Sequence, residues 1–213
     1  MVITQQSVKL LKPEPGQGES MLKMCEFAAR NCYASQDKMT ADSWYRFIQN
    51  LIARGHEAPL EFGSMIFDIT TSRAVLAEIT RHRLASFCVE SQRYIQEAKS
   101  GNITFIQPEW ADLDAPEGSL YKQMTSAWLN AMHVAEDTYK NLILSGATPE
   151  EAREVLPNST ACRIIMKANL REWRSIFKLR CSKAAYPQMR ALALQMLTLA
   201  NKEIPVVFAD LFE

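Results

Sequence analysis

The densest chemistry in this chain lies in the run Arg81-His82-Arg83-Leu84-Ala85-Ser86-Phe87-Cys88-Val89-Glu90-Ser91-Gln92-Arg93-Tyr94. Three arginines and a histidine followed by hydroxyls and an amide suit a phosphorylated, hydrogen-bonding ligand, because guanidinium forks match phosphate oxygens in pairs. The plainer alternative is a set of solvated cations complementing a helix C-terminus. A second basic cluster, Arg153, Arg163, Arg171, Arg174 and Arg180, lies in the C-terminal third. Arg171 and Arg174 stand three residues apart, close enough on a helix to share a face. Arg174 and Lys178 are expected to face solvent, as charged side chains usually do.

Other candidates carry less. His56-Glu57 and Glu61 do not make the helical HExxH zinc motif, since the second histidine is missing and Pro59 interrupts the helix, so no metal is expected. His133 stands alone in a long helical pattern. The seven glycines form neither GxGxxG nor GxxxxGK[ST], so side chains rather than a glycine turn must hold any dinucleotide. Cys25, Cys32, Cys88, Cys162 and Cys181 are odd in number and lack CxxC spacing, which points to reduced thiols.

The elements that must position these residues follow from periodicity. Helical spacing appears over 18–34 and 41–54, with Gly55 as the stop of the second helix. The turn His56-Glu57-Ala58-Pro59-Leu60 leads into a strand over 62–70, and Thr71 or Ser72 can cap a short helix through Ile79 that delivers Arg81-His82-Arg83 at its C-terminal end. Asn102 to Ile106 is a short strand and Ser119 to Ser145 the longest helix. Ala161 to Ala168 is a third strand, followed by helices over Leu170–Leu179 and Gln188–Lys202. The fold class is α+β, with helices packed on a small, mostly antiparallel sheet in a single domain over 1–213.

Composition narrows the classes of function. Lys plus Arg equals Asp plus Glu at 24 each, which excludes a spread electrostatic footprint for nucleic acid or an anionic membrane. No stretch approaches the roughly 18 apolar residues of a membrane span, and the first residues lack the basic and apolar regions of a signal peptide, so a cytoplasmic protein is expected.

Arg81-His82-Arg83 followed by Ser91 resembles the RHR-x7-S signature of flavin-dependent thymidylate synthases, continued as S-x-R-Y in Ser91-Gln92-Arg93-Tyr94. Gly55-His56-Glu57-Ala58-Pro59-Leu60-Glu61-Phe62 is similar to the family's GHxxPxEH/F segment and Ala152-Arg153-Glu154-Val155-Leu156-Pro157 to its ARxxLP segment. Asn169-Leu170-Arg171-Glu172 and Phe177-Lys178-Leu179-Arg180 resemble NxRE and FxxLR.

The resemblance implies reductive methylation of dUMP to dTMP, with 5,10-methylenetetrahydrofolate as carbon donor and FAD reduced by NADPH as hydride source. It implies a homotetramer whose active sites draw on several subunits. By motif position FAD falls to His56, Ala58, Arg81, His82, Arg83, Val89, Asn169, Arg171 and Ser175. Glu78 and Arg81 of one chain, with Glu90, Ser91, Gln92, Arg93, Arg153 and Arg180 of another, fall to dUMP; Arg180 is the catalytic candidate, set against the uracil ring.

The chain departs from the family pattern in places. Cys88 and Val89 stand where many members carry Asn and Glu, leaving Val89 a backbone contact only. Ser175 replaces the usual His or Asn, and Tyr186 a common His. In this family the enzyme polarises uracil instead of attacking it with cysteine, which leaves Cys88 a packed thiol and Ser91, lacking a His-Asp pair, a positioning residue. A non-catalytic nucleotide-binding protein and a flavoprotein oxidase are the two competing classes.

Overall fold

The computed structural model describes residues 1–92 and 102–212. In chain order the elements are β1 (Val2–Thr4), β2 (Ser7–Lys12), α1 (Gly18–Asn31), α2 (Ser43–Ala53), β3 (Ser64–Ser72), α3 (Arg73–Ile79), β4 (Ala85–Val89) and β5 (Thr104–Ile106). They continue with α4 (Leu120–Leu144), α5 (Pro149–Ala152), β6 (Ala161–Asn169), α6 (Leu170–Arg180), α7 (Pro187–Glu203) and α8 (Pro205–Phe208). The architecture is α+β with a small antiparallel sheet, as the sequence implies. Its four strands run in the order β2-β3-β6-β4. β1 and β5 form a separate parallel pair.

The chain folds into two compact units, each discontinuous in sequence. The first comprises Met1–Ser7, Thr70–Ile79 and Val89–Ile164. Its core gathers Ile103, Phe105, Met132, Tyr139 and Ala152, with α4 contributing Met132 and Tyr139 at helical spacing. The backbone N–H of Ile103 donates to the buried carboxylate of Glu136 at 2.8 Å, which satisfies a polar group that burial would otherwise make costly.

The second unit comprises Val8–Ile69, Thr80–Cys88 and Ile165–Glu213. β3 and β6 alternate buried and less buried residues along their length, the period of a sheet with one face on a core. On the buried face Phe67 meets Trp173 edge-on at 4.9 Å, Trp173 stacks with Phe177 at 5.5 Å, and Phe177 meets Phe208 edge-on at 5.5 Å. The Trp173 indole N–H donates to the Met65 carbonyl, so the largest core side chain leaves no orphan donor.

α3 ends at Ile79, where its spacing places the end, and Arg81-His82-Arg83 follows directly in the turn between α3 and β4. The capping expectation holds, since Ser72 Oγ accepts from the Val75 N–H. The strand β4 lies within the signature itself, where its hydroxyl, thiol and acidic neighbours obscure a strand pattern.

Candidate functional site

Three segments of the second unit converge on α6. The first is the turn after α2. Gly55 takes φ +71°, the left-handed conformation that ends a helix, and the His56 N–H returns to the Leu51 carbonyl at 2.8 Å. Ala58–Phe62 follows as a 3-10 turn, leaving His56 and Ala58 exposed. Gly63 closes it: a Cβ there would stand 2.8 Å from Leu170 Cδ1 and 2.9 Å from Met21, so only glycine lets the turn press against α6 and α1. The Leu170 N–H donates to the Gly63 carbonyl at 3.0 Å.

Beside this turn lies a cavity of about 450 Å³, with Arg30, Tyr33, Asn50, Arg54, His56 and Ala58 among its lining. The α1 and α2 residues were not legible as site residues, because nothing in their spacing marks them; they are collected only when the helices pack.

The second segment is the signature turn. Arg180, 9% exposed, donates its Nε–H to His82 Nε2 at 3.0 Å. An imidazole nitrogen that accepts carries no proton, so this contact places the His82 proton on Nδ1. Nδ1 in turn lies 3.5 Å from Glu172 Oε1. Burial pushes the Glu172 carboxyl up. Arg81 and Arg83 flank His82 and are exposed.

The third segment is the first part of α6. Asn169 caps the helix, its Oδ1 accepting from the Glu172 N–H at 2.8 Å, which leaves its amide hydrogens as the groups to meet a ligand. Arg171 pairs with Glu61 at 2.7 Å, and the exposed Ser175 donates back to the Arg171 carbonyl.

Arg174 is the main correction at the site. It is 2% exposed, and its guanidinium meets Glu57 at 2.9 Å, Asp210 at 2.7 Å through two parallel bonds, and the Val207 carbonyl. Burial works against its charge, but Asp210 and then Glu57 outweigh burial and raise its pKa. The general rule that arginines face solvent fails because its partners lie 117 and 36 residues away in sequence. Lys178 is exposed as expected and lies 3.7 Å from Glu57. A usable signal did exist: Arg171, Arg174 and Lys178 form one helical stripe, and Glu57 and Glu61 a matching acidic pair.

The remaining candidates belong to the first unit. Glu78 is on α3 and half-buried. Val89 ends β4 and is exposed, and the Glu90 N–H donates to the Arg163 carbonyl at 2.9 Å. Ser91 and Gln92 follow, and Gln92 Nε2 is buried without an acceptor among the described residues. Arg153 is half-buried, with Glu154 at 3.9 Å. Arg93 lies outside the described residues.

All five cysteines are unbridged. Burial pushes the thiols of Cys25, Cys162 and Cys181 up to about 11, far from a reactive thiolate. Cys88 is exposed on β4, contrary to the packed thiol expected.

The segments that α6 ties together are those whose order matches a known family. The family model described as "Thymidylate synthase complementing protein" matches residues 18–206. The chain belongs to the flavin-dependent thymidylate synthase family. It is 34% identical to the flavin-dependent thymidylate synthase of Geobacter sulfurreducens over 190 residues, covering 86% of this chain and 78% of that protein. It is 33% identical to the probable flavin-dependent thymidylate synthase of Mycobacterium phage D29, covering 89% and 83%. Among solved structures, the UMP/dUMP methylase PolB from Streptomyces cacaoi bound with 5-Br dUMP superposes with a TM-score of 0.78 at 26% identity, covering 98% of this chain and 96% of that one. The matched residues take in most of both units and the whole of α6. No helix among the described residues is long and apolar enough to cross a membrane.

Proposed function

We propose that this member of the flavin-dependent thymidylate synthase family methylates dUMP to dTMP, taking the one-carbon unit from 5,10-methylenetetrahydrofolate and reducing equivalents from NADPH through FAD. The single observation that carries the reading is the Arg180–His82 contact at 3.0 Å, which joins the FxxLR and RHR segments in one buried geometry.

Methylation at C5 requires negative charge to develop in the uracil ring, and a guanidinium keeps its proton at any working pH. Arg180 is therefore assigned the electrostatic role, stabilising charge at N3 and the neighbouring carbonyl, with its orientation fixed by His82 before substrate arrives. Gln92 Nε2, a buried donor without an acceptor among the described residues, suits a pyrimidine carbonyl or a phosphate oxygen. Glu78, Arg81, Glu90, Ser91, Arg93 and Arg153 complete the dUMP set. Ser91 positions dUMP, so Ser91→Ala is expected to retain dTMP formation while weakening dUMP binding about fivefold, read by titration.

The residues present fit FAD. The cavity beside His56 and Ala58 is lined by two arginines and, among the described residues, by no carboxylate, a lining that suits an anionic ligand such as FAD. His56, Ala58, Arg81, His82, Arg83, the Val89 backbone, Asn169, Arg171 and Ser175 would hold it. Bound FAD, once reduced, supplies the hydride.

A single domain over 1–213 working as a cytoplasmic homotetramer is part of the same reading, supported by a family match that spans both units. Light scattering coupled to size exclusion measures the assembly, and an active monomer would exclude the shared site. FAD titration followed by visible absorbance, with dTMP formation measured on the same sample, tests the function. Failure to bind FAD in the presence of dUMP, or flavin oxidation without dTMP, overturns it.

A further inference from the structure

The cavity beside His56 is backed by a charged device that none of the motifs includes. Arg30, in the last turn of α1, donates its Nε–H to Glu26 Oε1 at 2.8 Å, and its Nη2 lies 2.8 Å from the same oxygen. Glu26 is fully buried. Ser43, the first residue of α2, donates its hydroxyl to Glu26 at 2.8 Å to one oxygen or 2.9 Å to the other, and itself accepts from the Thr40 N–H. The Arg30 guanidinium also stands 4.6 Å over the Phe47 ring.

A buried carboxylate is costly unless paired and hydrogen-bonded, so this arrangement persists only because Glu26 is answered from both helices. Its effect is to hold one edge of Arg30 rigidly. Nη1 reaches the Ser35 carbonyl at 3.4 Å, where Ala34 takes φ +44°, a conformation that costs alanine energy. Among the described residues these contacts use three of the five N–H donors of Arg30, which itself lines the cavity. Arg54 adds a second cation to the lining, and the ring of Tyr33, 85% exposed, stands at the same cavity. No carboxylate among the described residues lines it.

We propose that Arg30 is the anion-recognising residue of this cavity and that Glu26, with Ser43, is the positioning residue that fixes it, so that the cavity selects a planar ligand bearing a phosphate or carboxylate. The inference rests on the reading above, in which FAD, NADPH and a folate all meet this enzyme. All three carry a planar ring and an anionic group. A preoriented guanidinium contributes through both charge and fork geometry, so Arg30→Lys keeps the charge and loses the fork.

The test measures equilibrium affinities of the full-length protein for FAD, NADPH and folate separately. The series is wild type, Arg30→Lys, Arg30→Gln, Glu26→Gln and the double variant Glu26→Gln/Arg30→Gln, which removes both charges of the pair together. Arg30→Lys and Arg30→Gln are expected to raise Kd for one of the three by about ten- to a hundredfold, with the affected ligand identifying the source of the anion. Glu26→Gln is expected to raise the same Kd about three- to tenfold, and to add nothing once Arg30 is already Gln, because a positioning residue has no effect without the group it positions. If the double variant instead loses affinity by the product of the two single losses, Glu26 is merely structural and the proposal falls. It falls equally if wild type binds its ligands and no variant moves any Kd more than twofold. Wild type binding none of the three would overturn the functional reading itself, and this inference with it.

Discussion

Helix α6 buries two arginines in different company. Arg174 is enclosed by the carboxylates of Glu57 and Asp210 and by a carbonyl, so its charge is answered by opposite charges from two other segments. Arg180 instead directs Nε at the unprotonated nitrogen of His82, which orients the guanidinium without cancelling its charge through that contact. One helix thus carries a cation that secures the fold and a cation whose proposed role is chemical.

The largest expected effect is on stability. Arg174→Ala removes the cation that Glu57 and Asp210 surround, and is expected to cost about 3–5 kcal/mol, read as a lower denaturant midpoint. Turnover per folded enzyme should change little, and a stable but inactive Arg174→Ala would erase the distinction. Next comes Arg180. Arg180→Ala and Arg180→Lys are expected to lower dTMP formation by about 10²–10³ with FAD still bound, measured together on one preparation. Near wild-type turnover in either would remove Arg180 from the mechanism. Glu172→Gln sharpens the contrast further, since it weakens the hold on the His82 proton; a loss of about fivefold in turnover is expected, with an unchanged denaturant midpoint.

The smallest effect is on pH dependence. Hydrogen bonding by Arg174 holds the Asp210 carboxyl below its ordinary 3.8. A depressed acid stabilises the fold fully above its unfolded value and loses that contribution as pH falls through the folded one. As pH falls below about 4, wild type should therefore lose more stability than Asp210→Asn, by less than about 1 kcal/mol because the Asp210 side chain is about half exposed.

How much of this was legible in the sequence depended on range. The long helices announced themselves by apolar residues three and four apart, and α1, α2, α4, α6 and α7 fall where that spacing places them. β1 carries too few residues to establish an alternation, β2 reads Ser-Val-Lys-Leu-Leu-Lys and loses the alternation at its paired leucines, and β4 is disguised by the polar residues of the signature. At the site, motif order located His56, His82, Asn169 and Arg180, but not the burial of Arg174, which depends on Glu57 and Asp210 arriving from distant segments. The cavity walls from α1 and α2 were equally invisible, since Arg30 and Arg54 share no local pattern.

The Glu57–Arg174 pair has a bearing on how the chain is made. During synthesis Glu57 leaves the ribosome 117 residues before its partner and Asp210 later still, so the turn carrying His56 must wait for nearly the whole polypeptide before its acid is neutralised. The first unit, complete at Ile164, can order earlier. Closing such a distant contact carries a loop-entropy cost that local helices never meet, and the Arg174 cluster cannot be complete before both α6 and Asp210 have emerged.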